Sequence, residues 1–232
     1  MLRLIDATGP RAEAPRPSRE PRVSSRIDHI VVTASDLASG AELVRRSLGA
    51  VPQPGGEHVR MGTHNLVLKL GDSLYLEVIS ANPNAPKPAR PRWFELDDMT
   101  PETPPRLATW VARTEDIRST LAASSEPLGA VEPMSRGDLD WLITIPRGGR
   151  LPFGGIAPML IEWRTQGHPA ARLRETGCSL LRLEAFHPEA PRMSALLESI
   201  SVEGPISVAP LPAGSRPYLV AHIQTPNGPR TL

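Results

Sequence analysis

One order of hydrophobic patterning recurs three times along this chain, and a repeated order narrows the available folds more than any single motif does. In the first unit a strand pattern over residues 27–34 meets Ser35-Asp36, a natural helix cap. Leu37, Ala41, Val44 and Leu48 follow at helical spacing before Gly49. Pro52, Pro54, Gly55 and Gly56 then break the chain, a short extended piece is expected over 58–61, and the runs 65–70 and 73–79 are joined at Gly71-Asp72, a hairpin signal. The predicted order is β-α-β-β-β. A second version runs from a strand at 107–112 through Thr114, a candidate cap, with Ile117 and Leu121 on a helix, to strands at 141–145 and 159–163. A third begins at 180–186, passes a helix marked by Met193, Leu196, Leu197 and Ile200, and ends in strands near 206–210 and 217–224. Prolines cannot serve a central strand, so the Pro-rich stretch between the first two versions reads as a connection. The expected organisation is an arm over 1–25, modules over 26–82 and 106–170 joined by a connector over 83–105, and a third, degenerate module over 171–232. The fold class is α+β.

Composition excludes several functions. With 232 residues, 40% hydrophobic, the chain can bury one substantial core or two small ones. No apolar run approaches the ~20 residues of a membrane span, so no membrane association is expected. A net charge of +1 creates no large field to steer polyanions. The first 26 residues hold six Arg and four Pro but no aromatic residue and no recognisable nucleic-acid module, so the segment reads as a surface arm and no nucleic-acid partner is expected. It lacks the apolar run of a secretory signal. The single cysteine, Cys178, rules out an internal disulfide and fits a reducing compartment, with a cytoplasmic location expected; it reads as a small core side chain.

Candidate chemistry begins with His29, in Ile27-Asp28-His29-Ile30-Val31-Val32, and Glu77, in Leu74-Tyr75-Leu76-Glu77-Val78-Ile79. Strand alternation sets each polar side chain on one face with aliphatic residues on the other, so adjacent strands would offer an imidazole and a carboxylate to one surface. A carboxylate among apolar strand residues is costly unless paired or solvated in a cavity, which applies to Glu77 and to Glu162 alike. Trp110, Trp141 and Trp163 read as core, Trp93 in the connector as less constrained, and Arg147 and Arg150 as solvated.

The stretch 27–37, the segment Gly55-Gly56-Glu57-His58-Val59-Arg60-Met61-Gly62-Thr63-His64-Asn65, and Tyr75-Leu76-Glu77 resemble the glyoxalase-like domain of the vicinal oxygen chelate superfamily. Leu151-Pro152-Phe153-Gly154-Gly155, residues 158–163 and His168-Pro169 resemble it in the expected order. The resemblance implies paired βαβββ modules whose curved mixed sheets enclose a cavity, often with a divalent metal. It says little of substrate, because the superfamily spans isomerases, lyases, dioxygenases and metal-free binding proteins. Metal ligands in such domains come from the first and last strands of each module, which points to His29, Glu77 and Glu162 and leaves Thr109 in the fourth place. Three such ligands can hold a hard divalent ion; the missing imidazole leaves a metal-free cavity open as well. His58 or His64 lies near enough in sequence to supply it, and the third module adds none, since Leu183 falls opposite His29.

Two functions follow. One is a metal-dependent lyase, isomerase or dioxygenase acting on a small oxygenated molecule, with His29, Glu77 and His58 as catalytic residues. The alternative is a non-catalytic protein that sequesters a small molecule without metal; a metal-free acid/base pair of His29 and Glu77 stands between them. A pure interaction scaffold ranks last. A homodimer formed across the sheets is compatible with either function.

Overall fold

The computed structural model describes residues 24–232. Through residue 23 the expected arm lies outside the described residues, and Ser25 already belongs to a strand. The first unit comprises β1 (Ser25–Thr33), α1 (Leu37–Leu48), β2 (Gln53–His58), β3 (Thr63–Gly71) and β4 (Leu74–Ala81). Helix α1 starts where Asp36 accepts the Ser39 N–H and stops at Gly49, whose left-handed φ of 70° closes the last turn. The second unit comprises β5 (Arg106–Thr114), α2 (Ile117–Ala123), β6 (Ala130–Arg136), β7 (Leu139–Ile145) and β8 (Met159–Trp163). The third comprises β9 (Ser179–His187), α3 (Ala190–Ser199), β10 (Val202–Glu203), β11 (Ile206–Pro210), β12 (Tyr218–Thr225) and β13 (Gly228–Thr231).

The first two units share one curled sheet, ordered β2-β3-β4-β1-β5-β8-β7-β6, with β10 added to the start of β1. Their seam is the antiparallel pairing of β1 with β5, centred on Ile30 opposite Trp110. The ladder skips a residue between Ile27 and His29, a β-bulge that leaves Asp28 as the extra residue. One face of this sheet carries Ile30, Val32, Leu76, Trp110 and Leu160 into a core shared with the three helices. The third unit completes that core. Its separate sheet, ordered β11-β9-β12-β13, contributes Leu183, Ala185, Leu219 and Ala221, and α3 contributes Met193 and Leu196. The other face carries Val31, Ile79, Val111, Trp141, Met159 and Ile161 into a second core. Polar residues on that inner face form the site. No helix among the described residues is long and apolar enough to cross a membrane.

Four local expectations are corrected. The Pro-Gly-Gly run is an edge strand, β2, and the extended piece expected over 58–61 is a tight 3-10 turn, Val59–Met61. An edge tolerates Pro54, and the missing Cβ of Gly55 admits Asn65, whose Oδ1 would otherwise lie 2.1 Å from it. The cap of α2 is Asp116, which accepts from Arg118 and Ser119; Thr114 instead meets the Thr120 hydroxyl at 2.7 Å. Strand β6 was not anticipated. The connector is not a bare link either: Trp93, Phe94 and Leu96 are buried in a 3-10 segment, Trp93–Asp98, with φ of 59° at Phe94 and 57° at Glu95.

Gly155 tests the packing on β5. It has φ of +98°, and a Cβ there would stand 1.8 Å from the Ala108 carbonyl oxygen, whereas Gly137, at φ +60°, has nothing within 4 Å. Urea unfolding should find Gly137→Ala destabilised by about 1 kcal/mol from backbone strain alone and Gly155→Ala by about 3 kcal/mol or more.

Candidate functional site

Strands β1 and β4 run parallel, with His29 opposite Tyr75 and Val31 opposite Glu77. Hence His29, Tyr75 and Glu77 share the inner face, where the His29 and Tyr75 rings stack at 4.6 Å. His29 Nε2 stands 3.6 Å from Glu77 Oε2. Asn65, on β3, donates from Nδ2 to Glu77 Oε1 at 2.5 Å. These groups, with His58, Trp93, Phe94, Arg136, Trp141, Ile143, Ile161 and Trp163, enclose a cavity of about 20 Å³, room for a single water.

Behind His29 lies Asp28, fully buried. Strict alternation would turn it to the opposite face; the bulge brings it beside its neighbour. His29 Nδ1 donates to Asp28 Oδ1 at 2.7 Å, while Asp28 Oδ2 accepts from Trp163 Nε1 and His168 Nε2, both at 2.9 Å. His168 Nδ1 accepts the Ala170 N–H at 3.1 Å, so its proton is on Nε2. Burial pushes the Asp28 carboxyl up, but hydrogen bonds from His168 and His29 outweigh it and hold the group well below the usual carboxylate range. An ionised acceptor at Nδ1 fixes the His29 tautomer and turns Nε2 to the cavity. Burial, with Asp28 and Glu77 nearby, raises Tyr75 well above the usual phenol range, so it keeps its proton.

Also in the lining, the Arg136 guanidinium donates from Nη1 to His58 Nε2 at 3.2 Å and to Asn65 Oδ1 at 3.3 Å. With Nε2 accepting, His58 Nδ1 carries the proton and meets Thr63 Oγ1 at 3.2 Å. Burial, then the Arg136 charge, pushes His58 down to about 3. The residue expected to move a proton is therefore a neutral brace between Arg136 and Thr63.

The expected metal trio does not assemble. Glu162 alternates away from Ile161 and Trp163, which line the cavity. Its carboxylate accepts the Ile117 N–H at 3.0 Å and pairs with Arg164 at 3.0 Å, at the start of α2. The ladders explain the misplacement: Val31 lies opposite Glu77, and its counterpart Val111 lies opposite Met159. Met159, not Glu162, therefore holds the place of Glu77 in the second module, and Thr109 that of His29. The remaining imidazole and carboxylate, both already engaged, are a poor donor set for a resident divalent ion. Among the described residues no group of three or more His, Cys, Asp and Glu is placed to hold one. His64 alternates to the opposite face of β3 from Asn65 and adds nothing to the cavity.

Sequence reasoning missed Asp28, Asn65, Tyr75, Trp93, Arg136 and His168. A usable signal existed for Arg136: Gly137-Asp138 after β6 repeats the Gly-Asp pair that joins β3 to β4. None existed for the bulge at Asp28.

His58 gives a signed pH dependence. Its folded value lies below the ordinary 6.5, so between about 6.5 and about 3 the unfolded chain binds the proton first and folding stability falls as pH falls. Urea unfolding at several pH values should show that slope, up to about 1.4 kcal/mol per pH unit, reduced in His58→Gln.

One solved structure agrees with this architecture. A hypothetical protein from Staphylococcus aureus, 11% identical, superposes with a TM-score of 0.52 over 89% of this chain and 84% of its own. A methylmalonyl-CoA epimerase, solved in complex with methylmalonyl-CoA and NH4+, is 19% identical with a TM-score of 0.43, over 63% of this chain and 99% of its own. The corresponding epimerase from Mycobacterium tuberculosis is 13% identical with a TM-score of 0.37, over 59% of this chain and 85% of its own. No protein of curated function matches the sequence. The model of one family, described as a glyoxalase-like domain, matches residues 27–201, and the chain belongs to that family.

Proposed function

We propose that this chain is a metal-independent proton-transfer enzyme, an isomerase or lyase that enolises a small oxygenated molecule bound against His29. One observation carries the reading: His29 is held between two carboxylates, with Nδ1 on Asp28 at 2.7 Å and Nε2 facing Glu77 at 3.6 Å on the neighbouring strand. Asp28 keeps the Nε2 lone pair aimed outward as a base. When Nε2 takes a proton from a carbon beside a carbonyl, the C–H pair becomes the C=C bond of the enolate, the carbonyl π pair moves onto oxygen, and the imidazolium that results lies between two negative groups. Return of that proton to another face or atom completes an isomerisation. Glu77, steadied by Asn65, stabilises the imidazolium. The aromatic walls, Tyr75, Trp93, Phe94 and Trp141, exclude water from the enolate.

A second reading, sequestration without turnover, is favoured by the aromatic lining of the cavity. One experiment separates them. Protein treated with a chelator is incubated in D2O with a panel of small carbonyl compounds, and deuterium uptake at the carbon next to the carbonyl is followed by proton NMR. The enzyme reading expects chelator-resistant uptake, reduced about 10²- to 10⁴-fold in His29→Gln. Uptake that returns only when a divalent metal is restored would contradict the metal-independent mechanism, and ligand retention without uptake would establish sequestration.

A further inference from the structure

Two residues that line the cavity, Trp93 and Arg136, carry donors that no carboxylate of the described residues meets, and both are of the kind that an oxyanion satisfies. The Trp93 indole Nε1, on a residue only 3% exposed, has no hydrogen-bond partner, and an indole nitrogen can only donate. Such a group is rare in a folded interior and costs about 1–3 kcal/mol if left unmet. Arg136 faces the same space. Its guanidinium has no carboxylate of the described residues within 4.0 Å, whereas Arg60 and Arg90 both hold Glu132 on the same strand at 2.6 and 2.5 Å. What Arg136 does hold are two neutral acceptors, at 3.2 and 3.3 Å, both through Nη1. Charge-assisted pairs with carboxylates are shorter and bidentate, so these contacts are weak substitutes. The surroundings make room for the arginine: a Cβ at Gly56 would stand 2.9 Å from its Cδ. Asn65 separates it from the competing carboxylate, accepting from Arg136 with Oδ1 and donating to Glu77 with Nδ2. The cavity lining therefore combines a guanidinium and an indole N–H that lack a carboxylate partner with the His29 base and the Glu77 carboxylate.

We propose that Arg136 and the Trp93 indole N–H form a receptor for the carboxylate of a small oxo acid, and so set the substrate class of the site. The inference rests on the reading of this cavity as the reaction site. On binding, the guanidinium leaves His58 and Asn65, which widens the cavity beyond one water, and forks onto the two carboxylate oxygens; the indole N–H donates to one of them. The carbonyl end of the ligand then extends toward His29.

The test uses the four indole N–H signals of the full chain in a nitrogen–proton NMR spectrum, with Trp93 assigned by Trp93→Phe. Acetate, pyruvate and malonate are titrated against acetamide, pyruvamide and malonamide. We expect at least one carboxylate to move the Trp93 signal at millimolar concentration or below, while its amide needs about tenfold more or fails. Arg136→Gln should weaken that binding about tenfold or more and Arg136→Lys should restore part of it, with an unmoved Trp110 signal reporting an intact core. His29→Gln should still bind the carboxylate. Equal binding of acid and amide, undiminished binding by Arg136→Gln, or no displacement of the Trp93 signal by any carboxylate would overturn the proposal. Carboxylate binding as expected without deuterium uptake would sink the reaction and leave the receptor standing. Deuterium uptake on neutral carbonyl compounds that ignores Arg136 would do the reverse.

Discussion

The buried Asp28 carboxylate organises the inner face of this protein. A charge removed from water is tolerated only where donors replace its hydration, and here three N–H groups from three parts of the chain converge on it: His29 beside it, Trp163 on the second module's last strand, and His168 in the segment beyond. Those bonds fasten the first module to the second at the base of the cavity. They also give His29 a defined proton position, without which its other nitrogen would be an arbitrary neighbour of Glu77.

The two modules share a backbone plan but not a chemistry. In the first, the inner-face positions of its first and last strands carry His29 and Glu77; in the second, the equivalent positions carry Thr109 and Met159. The cavity is therefore lopsided, with His29, Glu77, Asn65 and Arg136 in its lining together with the apolar Trp141, Ile143 and Ile161. The third unit stays out of it. It seals the outer face of the shared sheet, burying Ile30, Val32 and Trp110 under β9, β12 and α3, and so leaves the inner face to shape the site.

Most of the architecture was legible because it rests on local rules. Asp36 and Gly49 bound a helix for capping reasons, Gly71-Asp72 turns a hairpin, and alternation places His29 and Glu77 on one face. The site was less legible because its parts depend on register. Alternation misplaces Asp28, since the bulge that re-aims it is a property of the β1–β5 ladder and leaves no mark in the six residues around it. A place in the last strand of the module points to Glu162, but it stands three residues beyond the position that the β5–β8 ladder assigns. Pro133 disguised β6 and with it Arg136, because an edge strand tolerates a proline that a central one would not. Trp93 was hidden among connector prolines although it closes the cavity. Long-range contacts, not propensity, decided each of these.

The central claim is that Asp28 fixes the proton of His29 on Nδ1 and turns Nε2 toward Glu77 and the cavity. Long-range nitrogen–proton NMR of the imidazole rings, with His29 assigned by substitution, tests it most directly, because the two ring nitrogens of a neutral imidazole have widely separated shifts. The account predicts a protonated Nδ1 and a bare Nε2 in the neutral ring. A neutral His29 protonated on Nε2 would contradict it.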